Sequence, residues 1–205
     1  MRYIYVGLNG GNFTPAKADE TWRRRYGDCK GKTVLLLALL RELGVDAEPV
    51  LVANGIPTDG HPERLASPSL FDHVLVRATI DGKDYWMDGT LPAVIEGREH
   101  PYFRYQSVLP LAKAGKPLEQ LPERPYELPQ DLSLFEIDAS AGFDEAAKLK
   151  QVTVARGTSA LEQYYSFTSV TPNQLEASFR SQLVGSPVWD TVEAVDYRFD
   201  TKPQA

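Results

Sequence analysis

The stretch from His73 to Thr90 constrains this chain more tightly than any other. Val74 to Ile80 and Lys83 to Gly89 are strand-like runs, and the Asp81-Gly82 pair between them is favoured for a two-residue hairpin turn. Ile80 then pairs with Lys83. Counting outward from that pair, Leu75 falls opposite Asp88 and His73 opposite Thr90. His73 and Asp88 are thus diagonal neighbours on one face of the ribbon, with roughly 7 Å or less between their Cβ atoms. An imidazole and a carboxylate so placed can hydrogen-bond.

Upstream, Lys30 to Leu43 has a helical pattern in which Val34, Leu35, Leu36, Leu37, Leu39 and Leu40 cover nearly every face, predicting a helix enclosed by other elements. Asp28 is the expected N-cap and Gly44 the expected stop. Cys29, the single cysteine, therefore sits at the helix start. A lone cysteine forms no internal disulfide and no multi-cysteine zinc site, so it is either a small buried residue or a reactive thiol. Thiols attack as thiolates, and the dipole and free N–H groups of a helix start favour negative charge. An imidazole within reach would complete a thiolate–imidazolium pair, and a carboxylate on its other nitrogen would fix the tautomer. His73 and Asp88 are of the right types. The Cys29 N–H offers one donor for a developing oxyanion, and Trp22 and Tyr26 are candidates for a second donor or for the substrate cleft.

The first 28 residues read as a lead-in, with an apolar run from Tyr3 to Leu8 and a charged stretch from Trp22 to Tyr26. Ala47 to Val52 reads as a strand and Asn54 to Leu70 as a long surface loop. Leu109 to Pro129 carries five prolines, Pro110, Pro117, Pro122, Pro125 and Pro129, spaced like a strap or linker. This predicts a core over residues 1–115, a proline-rich connection over 116–130 and a β-rich segment with one helix over 131–205. In that last segment, Leu132 to Ala139, Ala146 to Ala155, Tyr164 to Val170 and Trp189 to Phe199 read as strands, and Thr171-Pro172 opens a helix running to about Leu183.

Charge and length narrow the partners. The net charge is −6 over 205 residues, with the acidic residues spread along the chain, which leaves no footprint for nucleic acid or anionic membrane. The longest apolar run, Val34 to Leu40, is too short to cross a bilayer, and no export signal opens the chain. The chain starts in mid-strand and stops at a polar segment, so an excised piece of a longer protein, with further domains, is expected. His61 and His100 lie in loop-like sequence without the spacing of a metal site, and Arg23 to Arg25 reads as a solvated turn. Gly27 to Thr33 superficially resembles a phosphate-binding loop. It has one residue too few between its glycines, and no buried strand delivers it.

Taken together, Tyr26-Gly27-Asp28-Cys29-Lys30, the helix end Leu39-Leu40-Arg41-Glu42-Leu43-Gly44-Val45, the strand Pro49-Val50-Leu51-Val52, Phe71-Asp72-His73-Val74 and Tyr85-Trp86-Met87-Asp88 resemble the bacterial transglutaminase-like core. The likeness spans about residues 1 to 95, in the order Cys, His, Asp. The lead-in Arg2 to Val6 with Gly10-Gly11 is similar to proteins in which this core follows an N-terminal β-rich domain of unknown function. Three positions depart from the usual wording: Gly31 stands for an Asp, Asp72 for an Asn and Gly89 for a Pro. The resemblance implies a papain-like core, so the fold expected is α+β, with the strand-like runs after residue 130 forming a small C-terminal mixed β appendage. It also implies thioester chemistry on peptide or protein amides, hydrolysis ahead of crosslinking, with no metal or cofactor required and a periplasmic or envelope-associated setting. The alternative is a catalytically degenerate module of the same kind used for protein binding or scaffolding. Asp72 beside His73 is expected to stabilise the imidazolium.

Overall fold

A computed structural model describes residues 1–8, 12–54, 63–92, 99–184, 186 and 188–200. The fold is mixed α+β with four helices, and it divides into two compact units, Met1–Arg124 and Pro125–Ala205.

In the first unit, strand β1 (Arg2–Tyr3) pairs in parallel with β2 (Tyr26–Gly27), and helix α1 (Ala18–Arg24) lies between them in sequence. The lead-in thus contains a helix that the sequence reading treated as a charged stretch. Its signature is Asp19 and Glu20 in the first turn with Arg23 and Arg24 in the last, which complements the helix dipole. Helix α2 (Cys29–Glu42) follows at once. Its start is fixed by Asp28 Oδ1, which accepts the Gly31 N–H at 2.8 Å. Its end is a Schellman motif in which Gly44, at φ 73°, donates to Arg41 O and Val45 donates to Leu40 O. The expectation of a helix enclosed on every side holds only for the first two turns, where Cys29, Lys30, Gly31, Thr33 and Leu35 are buried. Leu39 and Leu43 are exposed. The leucine run outlasts the sheet that covers it, since α2 packs chiefly on β3 and β4.

Five strands, β3 (Asp46–Val52), β4 (His73–Ile80), β5 (Lys83–Met87), β6 (Ser107–Pro110) and β7 (Glu119–Gln120), form an antiparallel sheet in the order β5-β4-β3-β6-β7. Val50, Val52, Val76 and Val108 are fully buried at its centre. Successive residues Val74, Leu75 and Val76 are all buried, so β4 is covered on both faces. Leu75, Val50, Val52, Trp86, Tyr105 and Val108 make one cluster, with Phe103 and Leu121 against it. The unit therefore runs past the expected limit at residue 115, because β7 closes the sheet from within the proline-rich stretch. The β4–β5 turn has Asp81 at φ 51° and Gly82 at φ 76°, the pair of positive values a type I′ hairpin needs, and Ile80 pairs with Lys83.

In the second unit, β8 (Asp131–Asp138) and β9 (Lys148–Ala155) form an antiparallel ribbon, followed by α3 (Gly157–Thr168) and α4 (Pro172–Val184). Two expectations are overturned. Tyr164 to Val170 is not a strand: Leu161, Tyr164, Tyr165 and Thr168 repeat at helical spacing, and Tyr164 to Thr168 are the end of α3. Trp189 to Phe199 forms no strand either. Tyr197 and Phe199 instead stack on Phe167, Phe179 and Tyr164, and Arg180 donates to Val192 O. Among the described residues the segment has two helices, not one.

Candidate active site

Three elements deliver the chemistry. Cys29 is the first residue of α2, held there by the Asp28 cap, while Lys30 reaches across to ion-pair with Asp28 Oδ2 and to donate to Val6 O at 3.1 Å. His73 opens β4 opposite Val52, in the middle of the sheet. Asp88 follows the last residue of β5, where Thr90 donates to its Oδ1 through both its backbone N–H at 2.8 Å and its hydroxyl at 2.6 Å.

That leaves Asp88 Oδ2 free to bond His73, and His73 Nε2 lies 2.8 Å from it. A carboxylate only accepts, so Nε2 carries the proton and donates. Nδ1 is then the ring nitrogen left for Cys29. Burial by itself would lower the His73 pKa. The hydrogen bond and charge of Asp88, with Cys29 acting in the same direction, outweigh it and raise the value from 6.5 to about 9. For Asp88, burial works upward, but His73 and Thr90 hold its carboxyl below the usual range. The ring and the thiol are both deeply buried, Cys29 at 2% exposure and His73 at 4%.

Asp72 does not act as expected. Its Oδ1 accepts the Asn54 N–H at 2.7 Å, and the groups that shift His73 are Asp88 and Cys29. Trp22 on α1 is half exposed with the Arg25 guanidinium 4.1 Å from its ring, and Tyr26 on β2 is exposed. Gly31 sits where an added Cβ would come 3.1 Å from Thr21 Oγ1, a buried hydroxyl with no partner among the described residues. His100 lies in a bend, and His61 falls outside the described residues. Among the described residues, no three His, Cys, Asp or Glu side chains could hold a metal ion, and no helix is long and apolar enough to cross a membrane.

Three neighbours of the site escaped the sequence reading. The Tyr3 phenol on β1 feels the charges of Cys29 and Asp88, and burial first, then those charges, pushes its pKa far up, so it stays protonated. Lys32 has its ammonium 5.8 Å from the centre of the Tyr3 ring. Burial lowers the Lys32 pKa against the opposing pull of Asp88. Tyr105, buried in the core cluster, donates to Asn54 Oδ1 at 2.6 Å and stands near Asp88 and Asp72. Spacing gives no hint of the first, since β1 meets β2 only through a parallel pairing of two residues; Lys32, three residues after Cys29 on the helix, was the readable one. No protein-family model, no curated protein and no solved structure matches the chain.

Proposed function

We propose that the chain is a cysteine-dependent acyl-transfer enzyme with a transglutaminase-like, papain-like core, acting on peptide or protein amides. The observation that carries this reading is the His73–Asp88 hydrogen bond on an antiparallel sheet against which the helix opened by Cys29 packs, with Cys29 and Asp88 both raising the His73 pKa. In the proposed reaction His73 holds the proton taken from Cys29, and the thiolate attacks the amide carbonyl. Collapse of the tetrahedral adduct breaks the C–N bond, with the His73 proton passing to the departing amine and a thioester left on Cys29. Water then attacks the thioester with His73 as base, releasing the acid and restoring the thiol. Hydrolysis is favoured over transfer to an amine. The N–H groups of Cys29 and Lys30 head the helix, where no intrahelical carbonyl is available to them, while Gly31 N–H is taken by Asp28; those two are the candidate oxyanion donors.

The burial of Cys29 favours a second reading, a module of the same build that binds or scaffolds protein without turning over. Alkylation of Cys29 by iodoacetamide between pH 5 and 9 separates the two. An enzyme gives a thiol that reacts faster in wild type than in His73→Ala at the acid end of that range; equal rates, or no labelling in either, leave the binding module.

A further inference from the structure

Lys32 carries an ammonium that forms no ion pair among the described residues, although the charge of Asp88 acts on it. It follows Cys29 by three residues on α2, which makes the two side chains neighbours on the helix surface. Its stem runs through a slot made by two glycines. An added Cβ would come 3.5 Å from Lys32 Cγ at Gly27 and 3.3 Å from Lys32 Cβ at Gly89. These glycines belong to the segments that carry Cys29 and Asp88. The slot ends at Tyr3, whose ring faces the ammonium and whose phenol feels the charge of Cys29.

Other lysines around the sheet and the helix start are paired: Lys30 with Asp28, Lys116 with Glu48 and Lys83 with Glu99. The Lys32 ammonium, among the described residues, makes neither a hydrogen bond nor an ion pair, the residue's backbone N–H going to Asp28 O. Asp88 pulls on the ammonium from a distance but forms no ion pair with it, its Oδ2 facing His73 and its Oδ1 taking both Thr90 donors. Burial still outweighs the Tyr3 ring and the distant charge of Asp88, since it lowers the Lys32 pKa, and a bound anion would offset that remaining cost.

We infer that Lys32 forms an anion-recognition subsite next to Cys29, which takes a carboxylate carried by the amide substrate close to the bond that is cleaved. The substrate class is an acidic peptide or a peptide with a free carboxylate beside the scissile amide. The inference rests on Cys29 being the nucleophile. With a net charge of −6, the protein as a whole repels such a substrate, so the recognition is local contact and not long-range steering.

The test uses two alkylating reagents that differ in charge, iodoacetate and iodoacetamide, on the full chain at pH 7 and low ionic strength. In Lys32→Gln the ratio of the iodoacetate rate to the iodoacetamide rate falls about five-fold from wild type, the size of one unit charge acting at about 4 Å in a watery site. Lys32→Arg, which keeps the charge, restores the ratio, and added salt lowers it in wild type but not in Lys32→Gln. A ratio unchanged in Lys32→Gln overturns the subsite while leaving Cys29 as nucleophile. A Cys29 that neither reagent labels, or that labels equally fast in His73→Ala, removes the nucleophile and the subsite with it.

Discussion

His73 Nε2 and Asp88 Oδ2 stand 2.8 Å apart although fifteen residues separate them, and the two positive φ values at Asp81 and Gly82 bring them together. The turn fixes the β4–β5 register, the register puts the imidazole and the carboxylate on one face, and Thr90 pins the second oxygen so that the carboxylate cannot turn away. A folded ribbon thus stores a charge pair that the unfolded chain lacks.

The pair has a pH signature. The His73 pKa is raised from 6.5 to about 9, so its contribution to stability is complete below about pH 6.5 and is lost as pH rises through about 9. The Asp88 pKa is lowered from 3.8, so its contribution is present above that value and is lost on acidification. Wild type should therefore exceed Asp88→Asn most between about pH 4 and 6.5. The margin is about 2 kcal/mol, the worth of one hydrogen bond to a charged partner. Urea titrations at pH 5.5 and pH 10 check this: the margin shrinks at the higher pH, and a constant difference would contradict the assignment.

How much of this was legible follows from how local each cause is. The Asp81-Gly82 turn, the Asp28 cap and the Gly44 stop are set by residues adjacent in sequence, and with them came the positions of Cys29, His73 and Asp88. The pairing of β1 with β2 depends on two residues meeting two others more than twenty positions away, so Tyr3 gave no sign of standing beside Cys29. Strands β6 and β7 are short and flanked by prolines, which read as linker until the sheet claims them. In the second unit, Tyr164, Tyr165 and Phe167 carry enough β propensity to mask a helical repeat, and the aromatic residues near Phe199 found helix faces to pack on instead of a strand.

Thr21 offers a prediction of the opposite sign from most core substitutions. It is 1% exposed on α1, and its hydroxyl has no partner among the described residues. Thr21→Val keeps the shape and removes the unpaired oxygen, so it should stabilise the chain by about 1 kcal/mol, the lower end of the cost of a buried unsatisfied group. Denaturant unfolding at neutral pH is the measurement. Destabilisation would mean that the hydroxyl has a partner in solution.

The strand that carries Tyr3, β1, is a short element of two residues. It meets β2 over a parallel pairing of two residues, flanked by Arg2 N–H to Arg25 O at 3.0 Å and Ile4 N–H to Gly27 O at 3.1 Å, with Lys30 adding a tie at Val6 O. Elements with so few ties open locally at little cost, and a substrate that reaches a sulfur as buried as Cys29 must use such an opening. Ile4→Pro deletes one donor. Losing a bond worth about 1 kcal/mol raises the open population about five-fold, and the iodoacetamide rate at Cys29 should rise by the same factor while the unfolding free energy of the unit falls by no more than the worth of that bond. If labelling is unchanged while the unfolding free energy falls by that amount, β1 does not control access to the thiol, and the path lies past another element.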